Sequence, residues 1–304
     1  MKFNIKAVWK FIADVFDRWS TDKAPKLGAA LSFYTIFSLA PLLIIVISVA
    51  GLLFGEEAAR GEIVYQIEGL IGRNGAEIVQ TALKNTSNAE TGLIAIVISL
   101  VTSIIGSTIV FVELQDSLDM IWKVKPKPGS SLIKGLIKDR IRSFTVVIGT
   151  GFLLLVSLVI SAVISALNNF INENFVLIPF WILELVNIII SFGIVYIMFA
   201  MIYKILPDVH LAWGDVWIGS LVTSSLFVLG KYLIGIYIGT SSLSSTYGAA
   251  GSLVVLLLWV YYSAQIIFLG AEFTAVYAEK YGSGVRPKSK FVRYHFDAGS
   301  PEKV

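Results

Sequence analysis

Six blocks of the chain, roughly residues 27–54, 91–113, 143–167, 180–203, 214–238 and 250–275, stay apolar long enough to cross a bilayer as helices. A hydrocarbon core of ~30 Å takes about 20 helical residues. In lipid every backbone N–H and C=O needs a protein partner, so only helices and closed barrels span. Alternating segments of about ten residues, the mark of a barrel strand, are absent. Composition agrees, because 15% of the 304 residues are charged, where a soluble domain carries about a quarter. The hydrophobic fraction is 56% and the mean hydropathy +0.79. The expected fold is an all-α polytopic membrane protein with six transmembrane helices.

Lysine and arginine set a direction. Six fall in the segment to Lys26, seven in the loop 123–142, one in the loop 204–213 and six after Val276, which is 20 of the 24. The alternate loops hold Arg60, Arg73 and Lys84, and Lys231 lies inside a span. By the positive-inside rule both termini are cytoplasmic. No apolar h-region with a small-residue cleavage site opens the chain, so no removable signal peptide is read. A bacterial cytoplasmic (inner) membrane protein is expected.

Residues 1–26 form the first expected unit. In "FNIKAVWKFIADVFDRW" Ile5, Val8, Trp9, Ile12, Val15, Phe16 and Trp19 recur at helical spacing, opposite Lys6, Lys10, Asp14 and Arg18. Such a helix lies along a membrane surface. "SLIKGLIKDRIRS" before the third span reads as a second, basic interfacial helix. The six-span domain covers 27–279 and includes an acidic outer loop, 55–90, with a short amphipathic stretch at Ile63–Ile71. The tail 280–304 has Gly and Pro near its start and reads as largely unstructured.

Polar side chains within the spans recur on single faces. Gly28, Ser32, Thr35 and Ser38 approach Pro41, which removes a helix donor in mid-span and so marks a hinge. Ser99, Thr102, Ser103, Gly106 and Glu113 share a face of the second span, and Ser157, Ser161 and Ser165 one of the third. Ser220, Ser224, Lys231 and Gly235 align on the fifth, and Tyr261, Gln265, Glu272 and Glu279 on the sixth. Small and hydroxyl residues four apart also serve plain helix packing. Ionisable residues are costlier, since a Lys at a helix centre costs roughly 2.5–3.5 kcal/mol on insertion scales. Lys231 has Glu184, at similar depth, as its natural partner. Glu113, Asp116, Asp119, Glu272 and Glu279 would gather near the cytoplasmic ends, with Lys123, Lys125, Arg140 and Arg142 close in sequence. The path candidates are Lys231, Gln265, Glu272, Glu113, Glu184 and Tyr261, with Pro41 as hinge.

Equipment for other chemistries is missing from the sequence. The chain has no cysteine, and His210 and His295 stand apart. There is no HExxH, no phosphate-binding GxxxxGKS/T loop and no GxSxG elbow. No metal, no cofactor and no enzymatic activity are expected. The basic stretches have the length and position of topology determinants, so nucleic acid is not expected as a partner. The expected partners are the lipid bilayer and a small-molecule or lipid substrate, with a homo-oligomer left open.

Four stretches carry a resemblance: "AALSFYTIFSLAPLL", "LQDSLDMIWKVKP", "LPDVHLAWGDVWIGSLVTSSLFVLGKYLIGIYI" and "YGAAGSLVVLLLWVYYSAQIIFLGAEFTAVY". Together they resemble the YihY/BrkB family of bacterial inner-membrane proteins, nearly to Tyr281. Asp119 stands where that family is expected to prefer Asn. The resemblance implies a six-span protein of the cytoplasmic membrane, a non-ATPase transporter, exporter or lipid translocator. Its old ribonuclease label is not carried over, because no His and Asp cluster is present to hold catalytic metals. The rival reading is a non-transporting envelope scaffold or regulator that binds partners through its outer loop and interfacial helices.

Overall fold

The computed structural model describes residues 5–55, 109–127, 180–240 and 250–294, with a few single positions between them. The third expected span, most of the second, most of the outer loop and the basic interfacial helix lie outside the described residues, as do the side chains of Pro41 and Glu184. The described helices are α1 (Ile5–Thr21), α2 (Ala24–Phe54), α3 (109–121), α4 (Phe180–Ile205), α5 (Trp213–Thr240) and α6 (Gly251–Lys280). Among the described residues three helices are long and apolar enough to cross a membrane, in windows Ile188–Ile205, Trp213–Tyr237 and Leu253–Lys280. At 31 residues α2 rises about 46 Å and continues as helix across Pro41.

Helix α6 is the hub. It packs against α5, α2 and α1, while α4 packs against α5. The α5–α6 crossing is close because glycines face hydroxyls. A Cβ on Gly219 would sit 1.9 Å from Thr274 Oγ1, and one on Gly270 would sit 2.0 Å from Thr223 Oγ1 and 2.6 Å from the Tyr203 hydroxyl. Tyr203 O–H donates to Ile267 O at 2.7 Å, and Thr223 and Thr274 hydroxyls donate to carbonyls one turn back. Hydroxyl satisfaction within the helix leaves these faces compatible with close packing.

The largest fully buried side chains, Trp122, Tyr203, Phe199, Phe268, Leu118, Ile121 and Leu206, gather at one end of the bundle. Here the C-terminal tail emerges, so this is the tail end. Trp122 meets Tyr203 edge-on at 6.0 Å between ring centroids. Helix α1 docks at the same end. Phe11 and Val15 pack with Val276, and Phe11 meets Phe273 at 5.1 Å. Val8, Trp9, Ile12 and Phe16 stay exposed. The apolar positions thus divide between two neighbouring arcs, one on α6 and one facing outward.

The expectation of an unstructured tail is corrected for residues 281–294. Strand β4 (Phe291–Arg293) pairs antiparallel with β1 (Val124–Pro126) in the register Val124↔Arg293, and β3 (Arg286–Pro287) pairs with β2 (Val209–His210). Gly284, at φ +77°, makes the turn after α6, with its N–H on Ala278 O at 2.9 Å. A left-handed residue there is readily supplied only by glycine. Gly282 lets the chain run against Asp215, whose Oδ2 accepts from Ser283 N at 3.0 Å and from Ser283 Oγ at 2.7 Å. Backbone pairing to two different loops orders a segment whose composition alone reads as coil.

Candidate functional site

Tyr261, Gln265, Glu272 and Glu279 fall within about a 40° arc of α6 at 100° per residue, and the structure turns that face to α2 and α1. Gly28 is a point of close approach: a Cβ there would lie 2.0 Å from Gln265 Nε2 and 3.5 Å from the Tyr261 ring. Gln265 Nε2 donates to Ala24 O at 3.4 Å, while Gln265 Oε1 is buried without a partner. Further along α6, Glu272 is fully buried and neither carboxyl oxygen meets a donor. The charged groups facing it are Asp22, Lys123 and Arg18.

Arg18 lies in the last turn of α1, and the other two sit where the chain turns. Asp22 and Lys23 make the corner between α1 and α2, with Lys23 at φ 56° and its carbonyl opening α2. Pro25 occupies the first turn of α2, where a missing N–H costs nothing. Lys123, also at φ 56°, closes α3 and leads into β1. Lys123 Nζ pairs with Asp22 Oδ1, and Asp22 Oδ2 is buried without a donor. Two turns beyond Glu272 toward the tail, Glu279 takes Arg18 Nη2 at 2.6 Å on one oxygen and Arg293 Nη2 on the other. Arg293 is held below the usual guanidinium range by burial first and the charge of Arg18 second. Above this group opens a pocket of ≈ 750 Å³, lined by Arg18, Asp22, Lys123, Glu279, Arg286 and Arg293 among others.

A second network ties the tail to the loop after α4. Asp208 is buried, accepts from Gln115 Nε2 at 3.2 Å and lies 3.5 Å from Lys288 Nζ. Its backbone N–H donates to Asp119 Oδ1 at 2.7 Å. Burial is the main cause that pushes the Asp119 carboxyl up to about 8, with Asp208 and Asp116 adding to it and the Asp208 N–H and Lys288 opposing it. The folded protein therefore retains a proton that the unfolded chain, near 3.8, releases. Stability from this group is full at acid pH and is lost as pH rises between the two values. Asp119→Asn is expected to flatten that slope, of up to about 1.4 kcal/mol per pH unit, and to be the more stable protein at alkaline pH. Denaturant unfolding across pH checks it.

The structure does not bring all the path candidates together. Lys231 is exposed on α5 among the exposed Tyr232, Leu233, Ile236 and Tyr237. Its neighbour Gly230 abuts Tyr262 and Ile266, on a different side of α6 from Gln265 and Glu272. Among the described residues Lys231 therefore does not share the face on which Gln265 and Glu272 meet α2 and α1. The polar arc on α5 is divided in the same way: Ser220 and Ser224 are buried, while Lys231 and Gly235 are exposed. Glu113 is half-buried on α3 near Asp116. Tyr261 is half-buried beside Gly28. Among the described residues no group of three or more His, Cys, Asp or Glu is placed to hold a metal ion. Sequence reasoning missed Asp22, Arg293 and the Asp208–Lys288 pair. The position of Asp22 two residues before "APKLG" was the available signal, since a carboxylate at a helix corner faces whatever packs there.

A family model described as "Virulence factor BrkB" matches residues 15–295. A UPF0761 membrane protein of Ralstonia nicotianae is 26% identical over 265 residues, covering 85% of this chain and 56% of the relative. One of Tolumonas auensis is 25% identical, covering 89% of this chain and 86% of the relative. Another, of Acinetobacter baylyi, is 25% identical over 92% of this chain and 66% of the relative. The chain thus spans little more than half the length of the first of these. No solved structure matches the chain. Relatives that are membrane proteins, together with apolar helices of spanning length, make this a membrane protein, and with a match over nearly its whole length it belongs to the family described as virulence factor BrkB.

Proposed function

We propose that the protein is a non-ATPase transporter or exporter of the bacterial inner membrane, with both termini in the cytoplasm and a substrate path along the seam between α2 and α6. The single observation that carries this reading is a line of buried polar atoms without protein partners. Ser38 Oγ, Gln265 Oε1, Glu272 Oε1 and Oε2, and Asp22 Oδ2 follow one another toward the ≈ 750 Å³ pocket. From Ala24 to Ser38 the line covers about 20 Å of helix. Buried polar atoms are rarely left unpaired, and water in a narrow path would satisfy those of Ser38 and Gln265 and lead to the carboxyl pair. The arginines and lysines of the tail end support a cytoplasmic mouth by the positive-inside rule. A solute or a lipid headgroup with polar character is the substrate class such a path would admit.

The absence of cysteine makes the test direct. Ser38→Cys and Gln265→Cys, introduced singly, should react with a small, charged, water-soluble thiol reagent in membranes. Leu229→Cys, on an exposed apolar face, should not. Equal protection of all three would remove the path.

One observation favours the second reading, a non-transporting envelope scaffold. The α5–α6 crossing is closed by glycine–hydroxyl contacts, as a static support would be. In that case the seam variants would be unreactive, and deleting the outer loop would abolish function while seam substitutions stayed mild.

A further inference from the structure

We propose that Glu272 and Asp22 form a proton-binding site that opens to the tail-end pocket through Asp22 and Lys123, and that this proton is the ion coupled to transport. The coupling role rests on the transport reading above, while the occupancy of the site does not.

Donors are too few for the acceptors at this point. Two carboxyl groups face each other here, one on α6 and one at the α1–α2 corner, within side-chain hydrogen-bonding reach. Lys123 Nζ serves one oxygen, Asp22 Oδ1. Asp22 Oδ2 and both oxygens of Glu272 remain buried and without a donor. A carboxylate is an acceptor only, whereas a protonated carboxyl supplies one O–H. A single proton between Glu272 and Asp22 Oδ2 therefore satisfies the pair, and removal of that proton leaves two buried anions against one ammonium. Breaking such balances is costly in a dry interior.

The other charged and titratable groups around the site do not offer a substitute donor. Arg18, on α1, is committed to Glu279, and so is Arg293 from the tail. Tyr294 lies on the pocket side, near enough to Asp22 to feel its charge, and its backbone N–H is on Lys123 O at 2.9 Å. On the far side α5 presents Thr223 and Gly219 to α6, and its acid at the tail end, Asp215, accepts from Ser283. The route for the proton is short. It arrives from water in the pocket, forms an O–H bond on Asp22 or Glu272, and leaves by the same side or along Gln265 toward Ser38. Lys123 would then compete with the proton for Asp22, so that the pair is a switch between two charge states and not a permanent ion pair.

Infrared difference spectroscopy of the full-length protein in lipid vesicles tests this. At about pH 7, wild type minus Glu272→Gln should show the C=O band of a protonated carboxylic acid, shifting in heavy water. Asp22→Asn should shift that band, because the hydrogen-bond partner changes, and serves also if Glu272→Gln does not fold. Glu113→Gln should leave it in place. The proposal is overturned if wild type and Glu272→Gln spectra coincide, or if sodium chloride at constant pH abolishes the band, which would mark a metal-cation site. Proton uptake by proteoliposomes separates the two readings. A Glu272-dependent band without proton flux keeps the site and overturns its coupling role. Reactive Ser38→Cys and Gln265→Cys without the band keep the path and overturn the site.

Discussion

Lys123→Met is expected to cost about 3–5 kcal/mol of stability, the range for removing one partner of a buried ion pair. The reason is local. Lys123 and Asp22 are 18% and 4% exposed at their side chains, and Glu272 behind them is fully buried. Without the ammonium, two carboxyl groups face one another with no cation bonded to either. The double variant Lys123→Met/Asp22→Asn should recover most of the loss, since the amide supplies a donor to Glu272 and removes one charge. A double-mutant cycle on the protein in nanodiscs measures the coupling. If the double variant is as unstable as the single, the loss came from packing around Lys123 and the electrostatic account of the site fails.

Gly270→Val is the second large effect, and it arises from shape, not charge. The Cβ alone would lie 2.0 Å from Thr223 Oγ1 and 2.6 Å from the Tyr203 hydroxyl, and Tyr203 is fully buried and bonded to Ile267 O. Neither neighbour can withdraw without breaking a hydrogen bond. Overpacking a filled interior costs typically 1–3 kcal/mol, and a β-branched residue at a three-helix contact should meet or exceed the upper end. The expected result is a large fall in apparent Tm and in the yield of monodisperse protein. Gly235→Ala, where nothing lies within 4 Å of the added Cβ, is the matched control and should be near neutral. Equal behaviour of the two variants would mean that the α5–α6 crossing is looser than its geometry.

The helices were legible because one physical demand dominates. A backbone in lipid must bond to itself, so the apolar blocks 180–203, 214–238 and 250–275 reappear as Phe180–Ile205, Trp213–Thr240 and Gly251–Lys280. The block 27–54 likewise reappears within Ala24–Phe54. Faces were legible too. Tyr261, Gln265, Glu272 and Glu279 align by spacing alone and do meet common neighbours. Lys231 shows the limit. Its spacing from Ser220 and Ser224 is right for one arc, yet the same arc is covered near the tail end and open further along, because neighbouring helices do not cover α5 evenly. Periodicity assigns a residue to a side of its own helix and says nothing of what lies opposite.

The tail marks the same boundary from the other direction. Strands of two and three residues have no period to read, and Lys288 and Arg293 look like solvated charges until Asp208 and Glu279 are found beside them. Asp22 and Glu272 are separated by 250 positions, and no local preference relates them. What the sequence determined by itself was helical structure, membrane residence and the polar face of α6, since these follow from transfer free energies and the 3.6-residue turn. Only the tertiary structure decided which charges meet, because the pairing of Lys123, Asp22 and Glu272 depends on three helix ends arriving at one buried point.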